Sequence, residues 1–128
     1  MTAHLDRLVQ WLSYAAVLGI IVLSLVPGNA RPHTGAPGQG EHTIAYLLTA
    51  FLFGLRSASW PQLLRAGIFL LACAGILEIA QLWVSGRNSQ IGDFVASSIG
   101  ILIGMAGGRA LNPFYQRLIL AHLGGKTK

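Results

Sequence analysis

Apolar residues in this chain come in long unbroken runs instead of the one-sided stripes of a soluble helix. The runs cover about 9–26, 40–58, 63–84 and 91–108. Roughly twenty helical residues cross a hydrocarbon core, so the first, third and fourth runs qualify directly. The second is short when its polar ends are excluded, and it reaches spanning length only if Gly40 and Trp60 extend it into the interfaces. Turn chemistry separates the runs: Pro27-Gly28-Asn29, a Pro/Gly-rich stretch up to Gly40, the segment 57–61, and Ser85-Gly86-Arg87-Asn88. The pattern predicts an all-α, four-transmembrane-helix integral membrane bundle forming a single domain over 1–128. Beyond Asn112-Pro113, the polar and apolar positions of 114–123 suit a short interfacial C-terminal helix, with a partly ordered tail as the alternative.

Composition supports the bilayer as solvent. Apolar residues make up 53% of the 128 and charged residues 10%, too few to coat a water-soluble domain. The nine Lys and Arg against four Asp and Glu do not indicate nucleic acid, because the basic residues are scattered between apolar runs. Their distribution reads as topology. Arg7, Arg56, Arg65, Arg109, Arg117, Lys126 and Lys128 fall on one side of the alternating spans, and only Arg31 and Arg87 on the other. The positive-inside rule then places both termini in the cytoplasm of a multi-pass protein of the bacterial cytoplasmic (inner) membrane. A competing reading makes the first run a signal peptide cleaved near Arg31, but its apolar stretch is long for a signal core. Cys73, the single cysteine, lies within an apolar run and reads as buried filler.

Small residues recur every fourth position in the last span, at Gly92, Ala96, Gly100, Gly104 and Gly108. Such a stripe lets helix backbones approach closely in lipid, where hydrophobic contact contributes little to association. Gly67, Ala74 and Gly75 make the third span a plausible partner for it, although sequence does not fix the pairing.

The polar residues in and beside the spans carry the candidate chemistry. Glu41 and His42 open the second span, with Tyr46 and Thr49 on the face of His42; Glu78 and Gln81 lie near the end of the third; Arg87 follows in the loop; Asp93 starts the fourth, with Ser97 one turn on. If the spans alternate in direction, all of these reach the outward membrane level. A charge in lipid is costly, so Glu78 should face protein or water, with His42 and Arg87 as its natural partners. His42, Glu78 and Asp93 are the candidate proton-transfer residues, and Arg87, Glu41, Tyr46, Gln81 and Ser97 the candidate binding residues. An outer-end network that only pins the bundle is the structural alternative. No serine elbow, HExxH helix, cysteine pair or phosphate-cradling glycine loop is present. No cofactor is expected, and a metal held by His42, Glu78 and Asp93 is the less favoured reading of those residues.

At these positions the sequence resembles the VanZ-like family of small bacterial membrane proteins. The matching stretches are VPG at 26–28, EHTIAY at 41–46, LEIAQLWVSGR at 77–87 and DFVASSIGILIG at 93–104. They contain the ordered set His-x3-Tyr, Glu-x2-Gln, Gly-Arg and Asp-x6-Gly. Many members carry an Asp-Lys pair shortly before the histidine, where this chain has Gly38-Gln39, and an Asn where it has Ser97. The resemblance implies a link to the cell envelope, since the family is named for a protein associated with teicoplanin resistance; it implies no particular reaction.

Three function classes follow as expectations. One is a non-catalytic protein that binds a membrane lipid, lipid-linked envelope component or antibiotic at its outer face, with a membrane-protein partner or a second copy as further company. Another is an enzyme acting on a lipid-linked phosphate, in which Arg87 grips the anion and His42 moves a proton. The third, a channel or transporter, is the least favoured because four short spans enclose little path.

Overall fold

The computed structural model describes residues 2–30, 35 and 38–124. Among these it contains four α-helices, α1 (Thr2–Leu25), α2 (Gly38–Arg56), α3 (Trp60–Gln81) and α4 (Ile91–Gly124), plus a 3₁₀ turn at Gly28–Ala30, and no strand. Three segments are long and apolar enough to cross a membrane: His4–Leu25, Trp60–Gln81 and Ile91–Ala121. Only 22%, 28% and 39% of their most apolar windows are buried within the bundle, so most of that apolar surface faces outward. Leu18, Ile68, Ile76, Ile99 and Leu102 are among the exposed side chains. A soluble monomer rarely carries so extensive an apolar exterior, whereas lipid solvates it.

α2 is long enough to span but less apolar, because its first turns hold Gln39, Glu41, His42 and Thr43. It compensates by being wrapped: it touches every other helix and forms its closest interface with α4. Tyr46, Thr49, Ala50 and Gly54 are buried in that position. The core of the bundle joins Tyr46 and Ala50 of α2 to Leu63, Leu70 and Ala74 of α3 and Ile101 and Met105 of α4.

The glycine stripe of α4 packs on α2, not on α3. A Cβ added at Gly100 would meet the carbonyl oxygen of Thr43, one at Gly104 that of Leu47, and one at Gly108 that of Phe51. Residue numbers rise together along both helices, so α2 and α4 run parallel, which an up-down-up-down bundle requires. Gly54 on α2 answers from the other side, where a Cβ would lie 2.7 Å from the Met105 carbonyl oxygen. The approach is close enough for the Thr43 hydroxyl to donate to the Ala96 carbonyl at 3.2 Å as well as to its own helix. α3 instead uses Gly67, which faces the Met105 sulfur, and Gly75, which faces the Phe94 ring. Carbonyls four residues apart on one helix match glycines four residues apart on another, a correspondence that the periodicity of either alone does not reveal.

Helix ends differ from the sequence reading in several places: α1 begins at Thr2, well before 9, and α2 ends at Arg56, so Trp60 starts α3 and does not extend the second run. The α3 α-helix stops at Gln81, before 84, and its chain tightens through Leu82, Trp83 and Val84, whose N–H groups bond carbonyls three residues back. The expected separate interfacial helix over 114–123 is instead a continuation of α4 through Pro113. A proline in a helix removes one N–H bond, and neighbouring groups can compensate in a membrane bundle. Here the Asn112 amide donates to the Leu55 carbonyl at 2.7 Å and its oxygen accepts from Arg109 at 3.1 Å, while Tyr115 is buried. These contacts accompany the helix past the site where local propensity favours a break. At about 1.5 Å per residue, the 34 residues of α4 measure about 51 Å, longer than a hydrocarbon core is thick.

Candidate functional site

Three helix ends meet at one end of the bundle. The start of α2 brings His42, the last turn of α3 brings Glu78, and the first turn of α4 brings Asp93. Each residue offers a ligand-type atom, and these three atoms lie within 4.8 Å of one another. His42 Nδ1 stands 4.0 Å from Glu78 Oε1, with both side chains about 10% exposed. The parallel α2–α4 contact sets this level, since the Thr43–Ala96 bond locks the two helix starts in register.

Two serines furnish the cluster. Ser89, in the α3–α4 connection, donates to Glu78 Oε2 at 3.1 Å, which leaves Oε1 turned toward the histidine. Ser97 donates to the Asp93 carbonyl at 2.8 Å and lies 3.5 Å from His42 Nδ1. With its proton engaged, the Ser97 oxygen faces Nδ1 as an acceptor; Glu78 Oε1 is an acceptor too. Ser89 was not among the residues singled out from sequence: it lies eleven positions from Glu78, in a loop with no periodicity to connect them.

Gln81 is 1% exposed, and its Nε2 has no hydrogen-bond partner among the described residues. Leaving such a donor unmet in a buried place costs about 1–3 kcal/mol. It follows Glu78 by three residues on roughly the same side of α3. Tyr46 is buried in the core and Glu41 half-buried at the start of α2. The Thr49 hydroxyl bonds its own helix at the Ala45 carbonyl.

Arg87 works toward α1. Its Nη2 donates to the Leu23 carbonyl at 2.7 Å and to that of Ser24 at 3.1 Å, the acceptors that a helix C-terminus leaves open. The loops around it are sewn together: the Gly28 N–H donates to the Ser85 carbonyl at 3.1 Å, and Gly86 adopts φ +72°, a conformation glycine tolerates without a steric penalty. The Gly28 Cα packs so close to the Gly86 carbonyl that a side chain at 28 has no room. The VPG and Gly-Arg stretches thus form one clasp between the α1–α2 and α3–α4 connections. Arg87→Ala is expected to destabilise the bundle by about 1–2 kcal/mol through loss of a charged donor to two carbonyls. A detergent thermal-unfolding scan checks this, and an unchanged midpoint would remove the clasp role.

Beside Glu78 runs a groove of about 290 Å³, lined by Gly75, Glu78, Ile79, Leu82, Ser89, Gln90, Ile91 and Phe94. Its walls are mostly apolar, and Ile79, Leu82 and Ile91 are exposed on the outside of the bundle. Its polar members are Glu78, Ser89 and Gln90, so it joins the polar cluster to the apolar exterior between α3 and α4.

His4 and Asp6, at the start of α1, lie at the opposite end of the bundle. There Arg56 donates to both Asp6 oxygens at 3.2 and 3.3 Å, and the Tyr115 hydroxyl donates to Asp6 Oδ1 at 2.8 Å. Arg109 bonds the Ser57 carbonyl and lies 5.5 Å from the Trp60 ring centroid. Comparison of the chain with protein-family models, with curated proteins and with solved structures finds no match.

Proposed function

We propose that this chain is a VanZ-like integral membrane protein of the bacterial cytoplasmic membrane, with four spans and both termini in the cytoplasm. In this reading the cluster of His42, Glu78, Asp93, Ser89 and Ser97 faces outward and binds an amphiphilic envelope component, a lipid or lipid-linked molecule. The observation that carries it is the groove at Glu78: its mostly apolar walls run from Glu78 and Ser89 to the exposed Ile79, Leu82 and Ile91. A ligand with a polar head and an apolar chain matches that profile, whereas a small polar solute has no use for the apolar walls. An antibiotic would enter the same site if it carried a comparable tail.

A second reading, an enzyme acting on a lipid-linked phosphate, draws support from His42 Nδ1 standing between Glu78 Oε1 and Ser97 Oγ. A carboxylate on the imidazole is the arrangement that orients a proton carrier. Turnover by purified protein that His42→Ala abolishes would favour this reading; turnover retained in that variant would eliminate the carrier.

The binding reading is tested by analysing the lipids that copurify with the wild type, with Glu78→Gln and with Gly75→Leu. Gly75 lines the groove, and a Cβ there meets only the Phe94 ring edge at 3.6 Å, so the larger side chain fills the channel without striking backbone. Both variants are expected to lose at least about 90% of one headgroup class, a change of about tenfold or 1.4 kcal/mol. Identical lipid profiles in all three proteins would refute the reading. Arg87→Ala is a poor probe, because it also loosens α1.

A further inference from the structure

The cluster brings together one imidazole and two carboxylates from three different helices, with all three ligand atoms inside 4.8 Å. We infer that His42, Glu78 and Asp93 form a binding site for a divalent transition-metal ion, with zinc as the best-matched probe. This deepens the proposed binding site, since Glu78 belongs to both cluster and groove, but metal binding itself stands without the lipid.

The ligand chemistry fits. Imidazole nitrogen with carboxylate oxygens suits zinc and its first-row neighbours, whereas calcium and magnesium favour all-oxygen sets. Around a tetrahedral ion with bonds of about 2.0–2.2 Å, ligand atoms lie roughly 3.3–3.6 Å apart, so closure asks the side chains to move inward by about 1 Å at most. Side-chain rotation supplies that without moving a helix.

The surroundings are arranged as an outer sphere. Ser89 holds the Glu78 oxygen that does not face the histidine and so fixes the one that does. Hydrogen bonds of this kind aim metal ligands. Two carboxylates, Glu78 and Asp93, lie close together here with the imidazole, a donor set that a divalent cation offsets. The ion takes an unprotonated ring nitrogen of His42, as metal binding to histidine requires.

A separate observation points to a ligand at this level. The side chain of Gln81 is almost fully buried one turn beyond Glu78, and its Nε2 donor has no acceptor among the described residues. Three protein ligands leave a zinc ion at least one open position, to be filled by water or a headgroup oxygen. Either supplies an acceptor oxygen at the cluster.

The test is equilibrium dialysis of the full chain, in detergent and without a histidine tag, against Zn2+ alone. The expected result is one zinc per chain, weakened at least about tenfold by Glu78→Gln and by Asp93→Asn. Ser89→Ala, which keeps all three ligands but removes the hydrogen bond to Glu78 Oε2, should weaken it by about tenfold as well. Zinc-edge X-ray absorption of the wild type should show one nitrogen among oxygen ligands, and the nitrogen signal should vanish in His42→Ala. If a variant does not fold, the wild-type spectrum decides: sulfur ligation, or no bound zinc, overturns the site. Retention of zinc by a folded triple variant of His42, Glu78 and Asp93 overturns it too. Lipid analysis after chelation separates the two proposals. Selective lipid without zinc binding leaves the binding reading and ends this one; zinc binding without selective lipid does the reverse.

Discussion

Leucine at Gly100 or Gly104 is expected to lower the stability of the bundle by about 3 kcal/mol, the top of the usual range for overpacking, because the obstacle is backbone. At both positions the new Cβ would run into a carbonyl oxygen of α2, that of Thr43 or Leu47. A flexible side chain could swing away from such an intrusion, but a helical carbonyl moves only with its helix. Separating α2 from α4 would also break the Thr43–Ala96 bond and pull His42 away from Asp93. The fold and the site should therefore fail together. Gly19 supplies the control, since a Cβ there meets nothing within 4 Å. Gly19→Ala should be neutral or gain up to about 1 kcal/mol from helix propensity. Thermal or denaturant unfolding in detergent measures all three. Equal midpoints for the Gly104 and Gly19 variants would rule out the close α2–α4 approach.

Asp6→Ala should cost about 2 kcal/mol and act at the opposite end of the molecule. The carboxylate accepts from both Arg56 nitrogens and from Tyr115, so one side chain ties α1 to α2 and to α4. Hydrogen bonds to charged groups contribute about 1.5–3 kcal/mol when shielded, but Asp6 and Arg56 are 39% and 26% exposed, which reduces their share. Tyr115→Phe should cost about 1 kcal/mol, since Arg56 keeps its partner. The two effects should not add, because the residues share an acceptor. High salt should weaken the Arg56 part by screening and leave the hydroxyl bond in place. A double-mutant cycle followed by unfolding gives the coupling, and strict additivity would show that the three groups do not act as a unit. Zinc binding should survive Asp6→Ala in folded protein, because the cluster lies at the other end of the helices.

The sequence located the helices and their class. Long apolar runs must be helical in lipid, where every backbone N–H and C=O needs an internal partner. Turn residues between the runs separated them, so alternation of direction followed, and with it the meeting of His42, Glu78 and Asp93 at one level. Residues within a turn or two of a helix end share a depth whatever their partners are, which is why this grouping was legible. The glycine stripe was legible as a packing device for the same reason: a spacing of four is a property of one helix alone.

Pairing and direction of contact required the folded chain. The stripe could have met any neighbour; α2 was selected because its Thr43, Leu47 and Phe51 carbonyls and Gly54 offer the complementary surface. Charge alone says nothing of the contact Arg87 makes with α1, where the clasp of Gly28 and Gly86 brings it within reach of the Leu23 and Ser24 carbonyls. Asn112-Pro113 was read as a break by local preference, and contacts with Leu55, Arg109 and Asp6 carry the helix through it. Ser89 and the groove past Phe94 have no sequence signature at all, because they arise where a loop folds back on two helices. Hydropathy and spacing are properties of a segment and its solvent, so they fixed elements and depth. Which groups touch depends on how two surfaces interlock, and that is decided only when both are in place.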